Sequence, residues 1–536
     1  MKGWDKAVRR LTVISSESAD FRVIHDLLRI YFPRLKYEEA DGSAYFALPA
    51  ENMQGPEQLS AQAKLPAADI LPADVSADDW PQLLARIEKK ATPAEITVTF
   101  QSGDKFLDKQ CERLRSEVFT EDRSNRERRL LRLAFHRVLV RVLSLEPSPW
   151  GILTGVRPTK IVHRFLDEGF SGERIKKHLT SDFALSEERA ELLTKVAEYQ
   201  RPFFPRAGEE PLLGLYVGIP FCPTRCRYCS FPSFSLARWG HLLPAYLAGL
   251  ERELTTVGNI LRDTGVKVQT VYLGGGTPTV LSEAQLARLL ETVEDSFSFT
   301  EDRELTVEGG RPDTIDSGKL HVLKEHRVTR LSINPQTMRK DTLLSIGRQH
   351  TVQEVYQAYE LAREAGIPVV NMDLIIGLPG EDCTVLAETL RQVLQMAPEN
   401  ITLHALAMKR AAYYRQENIA VPVSQEGLLM MNLAHGFLQA AGYIPYYLYR
   451  QKEIFAHGEN VGYTIPGKAC LYNIQMMEER QTILGFGVGS GSKLVRQADL
   501  SLENIYNPKD VLMYLERSEE IIRKKVDNLQ RILYNN

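Results

Sequence analysis

Short apolar runs alternate with amphipathic stretches through the middle of the chain, from Leu212 to about residue 400. Each run is too short for a buried helix, whereas the stretches between them repeat apolar positions with helical spacing. The runs predict six strands, at Leu215–Ile219, Thr270–Leu273, Glu304–Val307, Arg330–Ile333, Val369–Ile376 and Ile401–Leu406. The stretches predict helices near 241–262, 282–296, 316–326, 340–346, 352–365 and 384–396. Buried strands joined by helices form parallel β/α units, so this order predicts an α/β fold, a partial (β/α)6 barrel.

The pattern changes on both sides of this region. Before it, strands are predicted at Leu11–Ser15, Tyr45–Leu48 and Ile96–Phe100, and helices at 20–31, 104–145 and 185–200. Residues 52–78 predict a surface loop, and Pro202, Pro205 and Pro211 mark a boundary. We therefore predict three domains, an N-terminal α/β accessory domain (1–205), the partial barrel (206–400) and a C-terminal α+β region (401–536).

Composition limits the function classes. With 25% charged residues and a formal net charge of −3 over 536 residues, the chain has no general attraction for nucleic acid or anionic lipid. No apolar run approaches the roughly 18 residues of a membrane span, and no signal-peptide pattern is visible. Six cysteines are too few for a disulfide framework in a chain of this length. We expect a cytoplasmic protein without a membrane partner, and nucleic acid is not the expected partner.

Arginines crowd one segment of the N-terminal region, at 123, 126, 128, 129, 132, 137 and 141. A solvated helix face is the favoured interpretation, because Glu121, Asp122 and Glu127 lie among them. A docking surface for an anionic ligand, an acidic electron donor or RNA is the alternative.

Three cysteines, Cys222, Cys226 and Cys229, follow the first predicted barrel strand with the spacing CxxxCxxC. Barrels of this kind carry their active sites at the carboxyl ends of the strands. Three thiolates can hold three irons of a [4Fe–4S] cluster and leave the fourth iron open for a ligand. A structural zinc site, the alternative, prefers four ligands, and the nearest further candidate is His241.

A glycine-rich turn, Gly274-Gly275-Gly276-Thr277-Pro278, follows the second predicted strand. Without side chains, its glycines let a ligand approach the backbone. Placed one β/α unit after the cysteines, this turn resembles the glycine motif of the radical S-adenosylmethionine superfamily. The resemblance implies that the open iron chelates S-adenosylmethionine, that Gly275, Gly276 and Thr277 lie by its methionine end, and that Tyr228 packs near its adenine.

Further motifs resemble those of one family within this superfamily. The cysteine motif with its upstream Tyr216, the glycine turn and Asp373-Leu-Ile-Ile-Gly-Leu-Pro together resemble the oxygen-independent coproporphyrinogen III dehydrogenase (oxidase) family. In that family a Glu ends the third strand, a Gln closes the fourth, an Arg follows the Gln and an Asp comes later. By resemblance the cofactor-binding residues are Tyr216, Tyr228, Gly275, Gly276, Thr277, Glu308, Gln336, Arg348 and Asp373. No side chain is assigned a catalytic role.

The resemblance implies an oxidoreductase of haem biosynthesis that decarboxylates coproporphyrinogen III to protoporphyrinogen IX through a 5′-deoxyadenosyl radical. Its cofactors would be a [4Fe–4S] cluster and S-adenosylmethionine, and a flavodoxin or ferredoxin would supply electrons. The C-terminal region would cover the tetrapyrrole, with Arg311, Lys409 and Arg410 as candidate anchors for its carboxylates.

Two departures keep alternatives open. Phe231 stands where the best-known coproporphyrinogen enzymes have a further cysteine, as it does in the related haem chaperones. The H-N-x-x-Y-W element of those chaperones is reduced to Asn473 after Pro466-Gly-Lys-Ala-Cys470. The chain resembles a long, divergent form of the family. A haem-binding chaperone, or a radical enzyme acting on another tetrapyrrole or on RNA, is the alternative.

Overall fold

The computed structural model describes residues 8–32, 35–40, 43–49, 83–90, 95–102, 105–113, 121–205, 212–407, 425–451, 454–497 and 499–534. The chain divides into two compact units, residues 1–194 and 195–536. The predicted loop at 52–78 lies outside the described residues. The predicted boundaries at 205 and 400 stay predictions.

A six-stranded mixed sheet forms the centre of the first unit. Its strands are β1 (Val8–Ile14), β2 (Lys36–Ala40), β3 (Ser43–Pro49), β4 (Leu83–Lys90), β5 (Glu95–Ser102) and β6 (Lys105–Arg113). Their order is β2-β3-β1-β4-β5-β6, with β1 and β4 parallel and the other neighbours antiparallel. The helices are Ala19–Leu28, Arg123–Val142, Thr159–Asp167, Gly172–Phe183 and Glu187–Gln200.

The helix predicted over 104–145 is wrong in its first part, because residues 105–113 form β6. This strand is at the edge of the sheet, and most of its side chains are exposed or partly exposed, so it lacks the apolar alternation that identifies a half-buried strand. The helix begins only at Arg123, where the Asp122 side chain accepts a hydrogen bond from the Asn125 N–H.

The arginine-rich segment lies on this helix, and acidic side chains offset much of its charge. Glu121 binds Arg129, and Glu112 and Asp108 of β6 bind Arg137 and Arg141. These ion pairs favour the interpretation as a structural helix face over a docking surface for an anion.

The second unit contains the predicted barrel. Its first eight described strands are β7 (Leu212–Ile219), β8 (Phe221–Cys222), β9 (Phe234–Ser235), β10 (Lys267–Gly275), β11 (Phe299–Glu308), β12 (Arg330–Ser332), β13 (Val369–Ile376) and β14 (Asn400–Ala405). Strands β7 and β10 to β14 lie side by side and parallel, which confirms the six predicted strands and the partial (β/α)6 fold. The connecting helices are Leu243–Arg262, Glu283–Ser296, Ser317–Glu325, Lys340–Ser345, Val352–Glu364 and Cys383–Met396.

The C-terminal α+β extension continues the same sheet at both ends. Its strands are β15 (Ile444–Tyr449), β16 (Asn460–Thr464), β17 (Thr482–Phe486), β18 (Gly491–Val495) and β19 (Leu502–Tyr506). Its helices are Gln425–Ala440, Leu471–Glu478, Val511–Glu516 and Ser518–Tyr534. The eleven strands run in the order β15-β16-β14-β13-β12-β11-β10-β7-β17-β18-β19. Strand β17 pairs parallel with β7, so a seventh parallel strand lies beside the first barrel strand.

Apolar side chains of the strands and surrounding helices form a large core in the second unit. Leu215, Val217, Leu273, Val307 and Leu331 are fully buried or nearly so. This packing holds the strands rigidly and leaves their carboxyl ends to carry loops. Across the described ranges, no helix combines the length and apolar character that crossing a membrane would require.

Candidate active site

The three predicted cysteine ligands follow the first barrel strand, with Cys222 at the end of β8 and Cys226 and Cys229 on the loop between β8 and β9. The two short strands pair, and the Phe234 N–H donates to the Pro220 carbonyl at 2.8 Å. The loop also rests on the segment after β12, because the Arg227 N–H donates to the Ile346 carbonyl at 3.0 Å. The thiols are free of disulfides and partly accessible. The fold therefore fixes the ends of the loop and leaves its sulfurs available.

The thiols have surroundings that suit a metal cluster. Burial raises the pKa of Cys222 to about 11, while a hydrogen bond from Thr277 opposes the rise and the two neighbouring thiols add to it. Burial and the proximity of Cys226 raise the pKa of Cys229 as well. Three mutually repelling thiolates in a partly buried loop need a nearby positive charge, which bound iron supplies.

The spacing of the thiols is also compatible with a cluster. Over the part of the chain that is described, no three His, Cys, Asp or Glu side chains converge on a point where one metal ion could bind. A [4Fe–4S] cluster needs no such point, because each thiolate binds a different iron. The residues present therefore fit the cluster.

The glycine turn after β10 lies against the cysteine loop. A Cβ atom on Gly276 would be 2.5 Å from the Phe221 carbonyl oxygen and 2.9 Å from the Cys222 sulfur, so a larger residue cannot fit without a shift. Gly275 has a φ of +112°, which favours glycine. Thr277 donates its backbone N–H to the Phe221 carbonyl at 2.8 Å and its hydroxyl to the Cys222 sulfur at 3.5 Å. The turn thus holds the first cysteine in place.

Glu308 ends β11 beside this turn. It accepts hydrogen bonds from the Tyr272 hydroxyl at 2.5 Å and from the Gly275 N–H at 3.2 Å. Burial raises the pKa of Glu308 to about 7; the Tyr272 hydrogen bond opposes this rise, and nearby Asp373 adds to it. The carboxylate can therefore accept or hold a proton near neutral pH.

Gln336 and Asp373 meet where β12 and β13 end. Gln336 has a φ of +69°, and its N–H donates to the Asp373 carbonyl at 2.9 Å. Among the described residues, no group satisfies the buried Gln336 side-chain oxygen. A strained backbone and an unsatisfied buried oxygen at one residue are typical of a binding site.

Asp373 has an electrostatic partner that the sequence analysis missed, His404 on β14. Its imidazole lies 3.7 Å from the Asp373 carboxylate, and Asn371 donates to the same carboxylate at 2.8 Å. Burial alone would raise the pKa of Asp373, but His404 and these hydrogen bonds hold it below its usual value. Asp373 is thus kept ionised.

Arg348 is buried and joins the cysteine loop to the barrel. Its guanidinium donates to the Tyr228 hydroxyl at 3.3 Å and to the carbonyls of Gly310 and Asn334. The pKa of Arg348 stays raised, although burial opposes its charge, because Tyr228 and Cys226 interact with it. These contacts bring Arg348 and Tyr228 to the cluster side of the site.

Of the three residues predicted to bind the tetrapyrrole carboxylates, only Arg311 lies within the described residues. Arg311 is buried, binds Asp313 through two hydrogen bonds of 2.9 and 3.0 Å, and donates to the Thr224 hydroxyl at 2.9 Å. It therefore supports the cysteine loop. Lys409 and Arg410 lie outside the described residues.

Partly accessible side chains of neighbouring barrel strands interact with one another. Tyr216, Tyr272, Glu308, Asp373 and His404 are each partly exposed on otherwise buried strand segments. The Tyr216 ring stacks with Tyr272 at 6.3 Å, and Glu308 interacts electrostatically with Asp373 and His404. The structure thus brings the predicted residues to one edge of the barrel and adds Tyr272 and His404. A lone Tyr or His on a strand carries no motif that would have revealed either.

Comparison with known proteins agrees with this geometry. The model of the radical SAM superfamily matches residues 216–393. The oxygen-independent coproporphyrinogen-III oxidase-like protein HemZ of Bacillus subtilis is 41% identical over 389 residues, which cover 72% of this chain and 77% of that protein. The chain belongs to the oxygen-independent coproporphyrinogen III oxidase-like family of radical S-adenosylmethionine proteins. As a member of this superfamily, it has a [4Fe–4S] cluster and S-adenosylmethionine as cofactors.

Two further relatives carry different names, one a heme chaperone and the other an oxidase. The heme chaperone HemW of Bacillus subtilis is 29% identical over 280 residues, 51% of this chain and 69% of that protein. The oxygen-independent coproporphyrinogen III oxidase of Escherichia coli is 30% identical over 280 residues, 51% of this chain and 58% of that protein. The two relatives are about equally similar, so family membership alone does not choose between their activities.

Proposed function

We propose that this radical S-adenosylmethionine protein decarboxylates coproporphyrinogen III to protoporphyrinogen IX in the cytoplasm. The observation that carries the proposal is the chain of contacts that links the three thiols, the glycine turn, Glu308 and Asp373. The match to an oxidase-like relative over most of both chains supports it.

When bound, the cofactors supply a 5′-deoxyadenosyl radical, which takes a hydrogen atom from the β-carbon of a propionate; loss of CO2 and one electron then leaves a vinyl group. The protein contributes binding and orientation. In the proposal, Cys222, Cys226 and Cys229 hold the irons. An acceptor for the released electron, and a flavodoxin or ferredoxin as donor, belong to the proposal as partners.

The proposed cofactor contacts use polar and aromatic groups of the barrel strands and of the loops that follow them. Glu308, when ionised, can accept hydrogen bonds from ribose hydroxyls, and the unsatisfied oxygen of Gln336 can accept one more. Gly275 and Gly276 allow the methionine end of S-adenosylmethionine to approach the backbone. Tyr216 and Tyr228 provide apolar ring surface, and Arg348 and Asp373 supply fixed charges of opposite sign.

A haem chaperone is the second candidate, favoured by Phe231, which is 59% exposed where a further cysteine would stand. The remaining part of the chaperone-like segment argues against it. Cys470 is buried and donates to Glu304 at 3.3 Å, and the Asn473 amide donates to the Tyr446 hydroxyl at 3.1 Å. These side chains are engaged inside the barrel unit and do not present a haem ligand.

An anaerobic assay tests the proposal. Reconstituted protein with S-adenosylmethionine, dithionite and coproporphyrinogen III should release CO2 and yield mono- and divinyl products, detected by mass spectrometry. Cys226→Ala should lose both cluster and product, whereas Cys383→Ala, on the helix Cys383–Met396, should keep both. Absence of vinyl products from protein with a full cluster would refute the decarboxylase, and tight haem binding without turnover would favour the chaperone.

A further inference from the structure

A groove of about 230 Å³ lies in the C-terminal extension, between the end of β19 and the last helices. Its lining includes Tyr506, Pro508 and Lys509 on one side and Met513, Arg517 and Lys524 on the other. The proposed reaction and its cofactor contacts use none of these residues. The groove is therefore a surface feature that the radical chemistry leaves unexplained.

The groove is linked directly to the cysteine loop. Pro508 accepts a hydrogen bond of 2.7 Å from the Gly489 N–H. A Cβ atom on Gly489 would be 2.8 Å from the Pro232 ring, so the Gly489 turn packs tightly on the residue that follows Phe231. Two contacts thus separate the groove from the loop that carries the cluster ligands.

Exposed apolar side chains lie around the groove. Tyr506 is 71% exposed, Met513 is 46% exposed and Leu512 is 43% exposed. Single exposed apolar residues are common, but three of this size within one short segment are typical of a contact surface for another protein.

The charges that line the groove are mostly positive. Lys509, Arg517 and Lys524 are exposed cations, and Glu520 is the carboxylate among the lining residues. Glu520 accepts two hydrogen bonds of 2.7 and 2.8 Å from Arg517, so the charges of these two residues balance each other. Lys524 also interacts electrostatically with Glu520. With three cations and one carboxylate, the lining still carries a formal charge of +2 on a chain whose overall formal charge is −3.

We propose that this groove docks an acidic one-electron carrier protein of the flavodoxin type. Electron-transfer complexes have small, transient interfaces, in which apolar contacts lie at the centre and charges steer the encounter. The groove meets both requirements, because Tyr506 and Met513 are part of its lining and its charged lining residues are mostly cations. Three cations are few for binding a nucleic acid backbone, which requires neutralisation of many phosphates.

The inference rests on the cofactors of the proposed function. In the step it serves, one electron passes from the anionic flavin hydroquinone to the oxidised [4Fe–4S] cluster. The flavin becomes the neutral semiquinone, the cluster is reduced by one electron, and no atom is transferred. Docking beside the cysteine loop shortens the path of this electron.

The test uses full-length protein and a purified bacterial flavodoxin. In Lys509→Glu/Lys524→Glu, the Kd for oxidised flavodoxin, measured by calorimetry at low salt, should rise roughly tenfold, because two attractive charges become repulsive. Lys267→Glu/Lys324→Glu is the matched control, since both lysines are exposed, Lys267 at the start of β10 and Lys324 in the last turn of the helix Ser317–Glu325. It should leave the Kd unchanged. Glu520→Gln should tighten binding, a gain that no loss of folding can produce.

Reduction of the cluster separates docking from chemistry. Anaerobic reduction by flavodoxin hydroquinone should slow in Lys509→Glu/Lys524→Glu, while reduction by dithionite stays unchanged. Equal Kd values in this variant and the control, or equal slowing with both reductants, would overturn the docking site. Failure of the decarboxylase would instead appear as missing vinyl products in protein that binds flavodoxin normally.

Discussion

Tyr272 and Glu308 meet across two neighbouring parallel strands, where the tyrosine hydroxyl donates to the carboxylate at 2.5 Å. In the register of β10 and β11, Tyr272 lies opposite Thr306, two residues before Glu308. Gly274 makes the contact possible, because a Cβ there would be 2.9 Å from the Tyr272 ring and 3.0 Å from the Glu308 carboxylate. A tyrosine and a glycine outside the predicted cofactor contacts thus hold the group proposed to bind ribose.

Removing this hydrogen bond should weaken cofactor binding. In Tyr272→Phe, the pKa of Glu308 should rise further, so less of the carboxylate is ionised at neutral pH. We expect the affinity for S-adenosylmethionine to fall roughly tenfold, as for the loss of a hydrogen bond to a charged group. Equilibrium binding across pH 6 to about 9 measures this, and the loss should shrink at high pH.

Tyr472→Phe is the matched control for that experiment. The Tyr472 ring stacks on the Tyr272 ring at 4.5 Å, and among the described residues the Tyr472 hydroxyl has no hydrogen-bond partner. The affinity should stay within about twofold of the original, since no hydrogen bond is lost. Equal losses in both variants would mean that packing of the rings, and not the bond to Glu308, supports binding.

The raised pKa of Glu308 makes a second prediction, for stability. Its pKa rises from 4.5 to about 7 on folding, mainly through burial, so the native state favours the protonated form. The stability this group contributes is therefore complete below pH 4.5, declines between 4.5 and 7 and stays low above 7. Glu308→Gln, which cannot ionise, should be more stable than the original at pH 8, by at most about 3 kcal/mol.

Thermal unfolding of the cluster-free protein at a series of pH values checks this. The difference in stability between Glu308→Gln and the original protein should be near zero at pH 4.5 and should grow up to pH 7. Glu360→Gln, at an exposed helix position, should differ in stability from the original protein by an amount that does not change with pH. A Glu308→Gln difference that is constant with pH would contradict the predicted ionisation.

Gly276→Ala should impair cluster incorporation. The new methyl group would meet the Phe221 carbonyl oxygen at 2.5 Å and the Cys222 sulfur at 2.9 Å, and the backbone atom cannot move away easily. We expect lower iron content and lower visible absorbance after reconstitution, with a strain of roughly 1–3 kcal/mol. Gly436→Ala, on the helix Gln425–Ala440, meets nothing within 4 Å. It should keep full iron content and gain about 1 kcal/mol in helix stability.

A buried ion pair ties the last helix to the barrel and makes a fourth prediction. Lys525 and Glu253 are each 1% exposed, and Glu253 also accepts from the Gly487 N–H at 2.9 Å and the Tyr514 hydroxyl at 2.7 Å. Burial alone would raise the pKa of Glu253, but Lys525 holds it below its usual value. Lys525→Met leaves this carboxylate buried without its cation and should cost about 3–5 kcal/mol.

Denaturant unfolding measures this loss. The exposed pair of Arg531 and Glu503 is the control, and Arg531→Met should change stability by less than about 1 kcal/mol. Similar small effects in both variants would show that Lys525 contributes packing rather than charge.

Residue patterns along the chain predict the six barrel strands and the cysteine and glycine motifs that follow them, because each of these signals is local. Strands buried on both faces are continuous apolar runs, so β7 and β13 were visible without any partner. The cysteine spacing and the glycine turn are likewise contained within single loops. By contrast, β6 was predicted as helix because an exposed edge strand carries no apolar alternation.

The side chains that support these motifs become visible in the folded protein. The register of β10 and β11 puts Tyr272 opposite Thr306 and so brings its hydroxyl to Glu308, and the alignment of β13 with β14 brings His404 to Asp373. The return of β17 beside β7 depends on residues more than 250 positions apart in the chain. These contacts arise from packing between strands that are distant in sequence, and local residue patterns carry no information about strand partners.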